Sequence, residues 1–216
     1  MTDGARNRAF DDLAAATDLP HVRRMTVAVA LISEALSERG MNATLVGGGA
    51  LEFHAPDTYA TSDIDLVVEG GDRTDLDSTF TALGFKRRHR HWVRGDVFVE
   101  VPGNWMSDPT EACAIGDHTI RVIRKEIVLA DRIIGFKHWN VTAYGAQALA
   151  LMAAVGGNLD EDMLEKKLRA EDAMDAYELL RRLGASGEPV SDERLRVEVD
   201  QLRTRFRRRE REDDAR

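Results

Sequence analysis

The sequence predicts an α+β fold: a mixed sheet flanked by helices, followed by a C-terminal helical module. Three observations predict it. Up to about residue 124 the apolar residues come in short, β-branched runs separated by glycines, as strands and short helices do. From about residue 125 the apolar spacing changes to steps of three and four. With 216 residues, 43% of them hydrophobic, the chain is long enough to bury one large core or two small ones. Runs of strands followed by runs of helices describe an α+β domain joined to a helical module. The boundaries read from this change are 1–124, with an N-terminal helical segment, and 125–216.

Residues 1–19 are polar and alanine-rich, a short helix or a loose arm, and Pro20 separates them from the next segment. Val22, Met25, Val29, Ile32 and Leu36 then mark one face of a helix over 21–39, ended by Gly40. Thr44–Val46 reads as a short buried strand stopped by Gly47, Gly48 and Gly49, and 50–55 as a helical turn or two broken by Pro56. Ile64-Asp-Leu-Val-Val68 is the best strand, closed by Gly70 and Gly71. A helix over 74–83 carries Leu76, Phe80 and Leu83 on one side. Strands are expected at 85–93, 96–101 and 118–123, with a hairpin at Gly95-Asp96. Helices are expected at 126–139, 143–155, 160–170, 172–183 and 191–210, and the tail from Arg203 to Arg216 reads as a solvated helix end that frays.

Composition excludes several classes. The single cysteine, Cys113, excludes a disulfide framework and multi-cysteine zinc sites, and its place in an expected loop reads as inert. A net charge of −8 is not that of a protein that coats nucleic acid, although a local basic face is compatible with it. No stretch reaches the ~20 apolar residues of a membrane span. The early run Met25–Ile32 starts too late and is too short for a signal peptide. The expectation is a soluble protein of a reducing compartment, most simply a cytoplasm.

The stretch from Gly47 to Val68 carries the chemistry. Asp63 and Asp65 are two apart on an expected strand, so alternation sends both to one face, roughly 6.5–7 Å apart at Cα. Two such carboxylates repel and call for a counter-cation, and hard oxygen donors suit Mg²⁺. Glu100 sits inside the apolar run Val97-Phe-Val-Glu-Val101, where a charge is costly unless it is paired, at an edge or bound to metal. Upstream, backbone N–H groups of a glycine turn at a helix start make a phosphate cradle. Each feature alone has a plain structural reading; their order along the chain points to a nucleotide and metal site.

Leu45-Val-Gly-Gly-Gly-Ala-Leu51 followed by Ser62-Asp-Ile-Asp-Leu-Val67 resembles the signature of the DNA-polymerase-beta-type nucleotidyltransferase superfamily, most closely its small bacterial and archaeal members, including AbiEii/MenT-type toxins. The resemblance spans about 45–101, with a weaker likeness over Asp131, Arg132 and Lys137. It implies a nucleotidyltransferase-like fold and transfer of a nucleoside monophosphate from an NTP to a hydroxyl on tRNA, protein or a small molecule, with pyrophosphate released. It further implies Asp63, Asp65 and Glu100 as catalytic metal ligands, for two Mg²⁺ ions or Mn²⁺. Gly47, Gly48, Ser62 and Lys137 are implied at the nucleotide, and an antitoxin as a possible partner. Two-metal chemistry holds ions ~3.5–4 Å apart between the attacking and leaving oxygens. The interval from Gly48 to Asp63 is longer than in the shortest members, so the loop Pro56–Thr61 is expected to shape the pocket. The family's downstream Lys matches Lys137; its downstream Asp has only Asp172 and Asp175 as candidates.

Lys86-Arg-Arg-His-Arg-His-Trp-Val-Arg94 is a basic cluster. It reads either as a phosphate or RNA contact, with Trp92 free to stack, or as a solvated hairpin. On one continuous strand, Arg88, Arg90 and Trp92 would share a face opposite Arg87, His89 and His91. His54 follows the glycines and reads as a helix histidine; His89, His91, His118 and His138 show no metal-ligand spacing. Arg132 and Trp139 are expected near one face of a helix. Two rival functions stand beside the transferase: a non-catalytic nucleotide-binding or antitoxin-like protein, and a metal-dependent phosphohydrolase, which the lack of a histidine near Asp63 and Asp65 in sequence disfavours.

Overall fold

The computed structural model describes residues 1–213, with side chains to residue 204. The chain divides into two compact units, Met1–Arg124 and Lys125–Arg216. The first is built on a seven-stranded sheet and the second on helices alone among the described residues, so the fold is α+β.

In the first unit α1 (Asp3–Ala15) and α2 (His21–Ser37) precede β1 (Asn42–Val46). There follow α3 (Gly47–His54), β2 (Ile64–Glu69) and α4 (Arg73–Ala82), then β3 (Lys86–Arg88), β4 (His91–Arg94), β5 (Val97–Gly103), β6 (Thr110–Ile115) and β7 (His118–Ile123). The sheet order is β3-β4-β5-β2-β1-β7-β6. Pairing is antiparallel except β2 with β5 and β1 with β7. Alternation decides the two faces. Ile64, Leu66 and Val68 are buried with Leu45, Val99 and Val122, while Asp65, Val67 and Glu69 point the other way and are half-buried. The apolar stripe of α2, Val29, Ile32 and Leu36, is fully buried and packs on β1 and β7. Helix α4 starts on a capping box in which Asp72 accepts from the Thr74 and Asp75 amides and Asp75 accepts from the Asp72 amide.

Several local expectations change. Of the two alternatives for the N-terminal segment, Asp3–Ala15 takes the helix, tied to the sheet by Arg94, which donates to Asn7 O at 2.9 Å, Asp11 Oδ1 at 2.6 Å and Leu83 O at 2.5 Å. The three glycines are the first turn of α3, not a turn ahead of it. Residues 85–93 are two strands joined at His89-Arg90, where His89 takes φ 55°. Cys113 lies on β6, a strand the sequence did not announce because Thr-Glu-Ala-Cys-Ala-Ile has no β-branched run; pairing with β7 makes it. Burial pushes the Cys113 thiol above its usual range.

The second unit comprises α5 (Lys125–Trp139), α6 (Thr142–Val155), α7 (Glu161–Ala170), α8 (Met174–Ala185) and α9 (Asp192–Asp213). Ile133, Phe136, Leu151, Leu164, Leu168, Leu180, Leu195 and Val199 are buried among them. Tyr177 donates to Glu161 Oε2 at 2.8 Å, and burial together with that carboxylate pushes its phenol up to about 12. The charged tail continues α9 to Asp213; its expected fraying falls on side chains and residues outside those described.

Candidate active site

The site is assembled on the half-buried face of β2. In register, Asp65 stands between Val46 of β1 and Glu100 of β5, and Glu100 stands between Asp65 and His91 of β4. Cross-strand partners share a face, so Asp65, Glu100 and His91 form a row across three strands, with Asp63 at the mouth of β2. The side chains of Asp63 and Glu100 keep 26% and 20% of their surface, enough to meet a ligand. His91 Nε2 lies 3.5 Å from Asp63 Oδ2 and 3.5 Å from Glu100 Oε2, and Arg90 Nε lies 3.1 Å from Glu100 Oε2. One ligand atom from each of Asp63, His91 and Glu100 falls within 4.8 Å of the others.

The chain leaves β1 at Val46 and enters α3 at once. Gly47 has φ +62°, and a Cβ there would overlap Asp65 Oδ2, so only glycine brings this backbone onto the carboxylate. Gly48 passes beneath the loop: a Cβ would sit 2.8 Å from Thr61 Oγ1 and 3.3 Å from the Tyr59 ring. Val46 caps α3 without a side-chain hydrogen bond, so the first amides of the helix have no capping side chain. Ser62 is exposed beside Asp63, at a cleft of about 170 Å³ walled by Phe10, Leu13, Met25, Ile64 and Phe98.

The loop 56–61 is held by a residue that sequence reasoning missed. Glu52 of α3 is 3% exposed; it accepts from the Thr61 amide at 3.0 Å and lies 2.7 Å from His21 Nδ1. The Thr61 hydroxyl in turn lies 3.1 Å from the Asp63 carbonyl and 3.3 Å from Asp63 Oδ1. An acid in a short apolar helix was the available signal, since it needs buried partners.

The basic cluster divides because of the hairpin turn. Arg88 pairs with His91 and Lys86 with Val93, putting them on the carboxylate face, whereas Arg87 pairs with Trp92 on the opposite face. The expected facing is therefore wrong for Arg88, Arg87 and His91, and a histidine does stand near Asp63 in space. Trp92 is not free to stack on a ligand: it is 3% exposed, stacked on Phe80 at 4.6 Å, and donates to Asp77 Oδ1 at 3.2 Å. Arg87 and Arg94 are engaged with Asp77 and α1. Among the described residues Lys86 and Arg88 make no ion pair, and Phe98, opposite Val93 on β5, is 40% exposed.

In the helical unit Lys137 is 2% exposed. Its ammonium donates to the Asp172 carbonyl, to Asp172 Oδ2 at 3.0 Å and to Asp175 Oδ1 at 2.9 Å. The downstream lysine and both candidate aspartates thus come together. Arg132 lies over the Tyr144 ring at 5.0 Å, Trp139 is exposed, and His54 Nε2 reaches the Ile123 carbonyl at 2.8 Å, joining α3 to β7. No helix among the described residues is long and apolar enough to cross a membrane.

No family model and no curated protein matches the chain. Among solved structures, an antigenic nucleotidyltransferase-like protein from Paracoccidioides brasiliensis matches with a TM-score of 0.50 and 16% identity, over 73% of this chain and 92% of that one. The antibiotic-resistance factor ANT(2'')-Ia matches with a TM-score of 0.47 in each of two structures. In solution it is 16% identical over 73% of this chain and 98% of that one. In complex with adenylyl-2''-tobramycin it is 18% identical over 68% and 98%. The fold is nucleotidyltransferase-like.

Proposed function

We propose that the chain is a metal-dependent nucleotidyltransferase that moves a nucleoside monophosphate from an NTP to an acceptor hydroxyl. The observation that carries this reading is the row Asp65, Glu100 and His91 beside a glycine helix start whose first residue lies against Asp65. The donor set fits a divalent ion: Asp63, Asp65 and Glu100 offer carboxylate oxygens from one sheet face, which suits Mg²⁺ or Mn²⁺. When bound, the metal neutralises charge on the phosphates and on the attacking and leaving oxygens.

The protein groups do the remaining work. The amides of Gly47 and Gly48 bind phosphate oxygens at the open start of α3, and the Ser62 hydroxyl donates to the same triphosphate. Glu100 accepts the proton of the acceptor hydroxyl; the oxygen bonds to the α-phosphorus, the bond to the β-phosphate oxygen breaks, and pyrophosphate leaves with that electron pair. Positioning and charge neutralisation supply most of the rate. Lys137, whose ammonium is held by Asp172 and Asp175, is part of the same proposal as a nucleotide contact, and the NTP affinity of Lys137→Met tests it. The unpaired Lys86 and Arg88 beside exposed Phe98 support a polyanionic acceptor with stacking bases, for which we propose tRNA. The toxin role implied by the resemblance belongs to the same proposal; arrest of growth on induced expression, relieved by Asp65→Asn, tests it.

His91 favours one second reading, a metal-dependent phosphohydrolase on the same carboxylates. One experiment separates them. The chain and an Asp63→Ala/Asp65→Ala variant are incubated with each α-³²P-labelled NTP, Mg²⁺ or Mn²⁺, and total RNA, lysate protein or small molecules. Label in the RNA pool that the variant does not produce is the expected result. Release of free nucleotide without labelled acceptor selects the hydrolase, and metal-dependent NTP binding with no turnover selects the non-catalytic nucleotide-binding or antitoxin-like reading.

A further inference from the structure

The phase of β4 is dictated by its core side chain. Trp92 is anchored by stacking on Phe80 and by its bond to Asp77, so alternation drives His91 to the opposite face, beside Glu100. The turn at His89-Arg90 makes β3 and β4 a hairpin rather than one strand. His91 Nε2 consequently meets both carboxylates at 3.5 Å. Two atoms bound to one ion at ~2.1 Å stand about 3–4 Å apart, so this spacing is that of ligands sharing an ion. The competing cation is light: Arg90 reaches Glu100 from a side chain that is 70% exposed and can withdraw to solvent.

We infer that His91 is a metal ligand, and that Asp63, His91 and Glu100 form a mixed nitrogen and oxygen site selecting a divalent transition ion over Mg²⁺. This rests on the metal-dependent reading above and goes beyond it. Mg²⁺ prefers oxygen donors and gains little from an imidazole, whereas first-row transition ions bind imidazole well. A neutral imidazole also adds a donor without adding a third negative charge to Asp63 and Glu100.

The test uses the full chain, free of added histidines, with Mn²⁺ as the probe and no nucleotide present. Pulsed electron paramagnetic resonance is expected to show ¹⁴N coupling on bound Mn²⁺, replaced by ¹⁵N coupling when the protein is made with ¹⁵N-histidine. His91→Ala is expected to lose that coupling and to weaken Mn²⁺ binding by about tenfold or more, with Mg²⁺ binding nearly unchanged. The wild-type spectrum needs no variant to fold. Bound Mn²⁺ without nitrogen coupling overturns the inference and leaves the carboxylate site standing. Failure of the wild type to bind either ion overturns the inference and the metal-dependent reading together.

Discussion

Two charge clusters in this molecule use similar groups to opposite ends. On the sheet, Asp63, Asp65 and Glu100 bring three carboxylates to one face, with His91 between Asp63 and Glu100, and the Asp63 and Glu100 side chains stay partly open to solvent. In the helical unit, Lys137 is buried, and its ammonium is held by oxygens of Asp172 and Asp175. The first is accessible from solvent, and in the second the cation is enclosed. Arg6 in the first unit is also fully buried: its terminal nitrogens are held by Asp3 at 3.1 Å, by Glu34 at 3.0 Å and by Glu38, while its Nε has no hydrogen-bond partner.

The strongest way to break this contrast is Asp65→Asn. On the proposed function, transfer should fall about 10³-fold, because a ligand of the divalent ion is lost. Thermal stability should hold, since Asp65 is half-buried on the open face of β2; a large drop in melting temperature would mean that the row holds the fold together. The filled cage should behave the other way. Asp172→Asn/Asp175→Asn takes two carboxylates away from a buried ammonium and should cost about 3 kcal/mol of stability in chemical denaturation. Lys137→Met should cost less, because the exposed aspartates it frees can be hydrated. Equal losses would show that packing of the lysine stem outweighs its charge.

Gly47→Ala joins geometry to chemistry. The new methyl meets Asp65 in a left-handed backbone, so about 1–2 kcal/mol of stability should go, with a transfer rate lower by roughly 10²-fold from a displaced carboxylate. Unchanged NTP affinity and rate in this variant would remove the glycine start from the site. The smallest effect is a pH dependence at the Arg6 cage. Hydrogen bonding from Arg6, and then from the Met1 ammonium, holds the Glu38 carboxyl at about 2 against an ordinary 4.5. A depressed carboxylate stabilises above its unfolded value and loses that contribution as pH falls through the folded one. The melting temperatures of wild type and Glu38→Gln should therefore differ above pH 4.5 and converge as pH approaches 2.

The long helices from residue 125 onward were legible because many repeats of one period average out single exceptions. The β2 core and the short strand β1 were legible from apolar runs bounded by glycines. Asp63 and Asp65 were legible as a pair because two-residue spacing needs no knowledge of the rest of the fold. Strand β6 was not, because its small residues owe their conformation to β7. Trp92 and His91 were misjudged together: an unseen turn at His89-Arg90 sets the pairing of β3, and a core anchor sets the phase of β4. Glu52 was overlooked because its role is to hold a loop that comes against it only on folding.

The sequence by itself determined the succession from a strand-bearing half to a helical half, the α+β class and the presence of closely spaced acids after a run of glycines. These are local properties, set by periodicity, side-chain alternation and the freedom of glycine. Only the tertiary structure decided that Glu100 stands beside Asp65, that His91 joins it, and that Lys137 is enclosed by Asp172 and Asp175. Those are relations between segments distant in the chain, and strand register, hairpin turns and helix packing assign them by burying one set of side chains and turning the other toward a shared face.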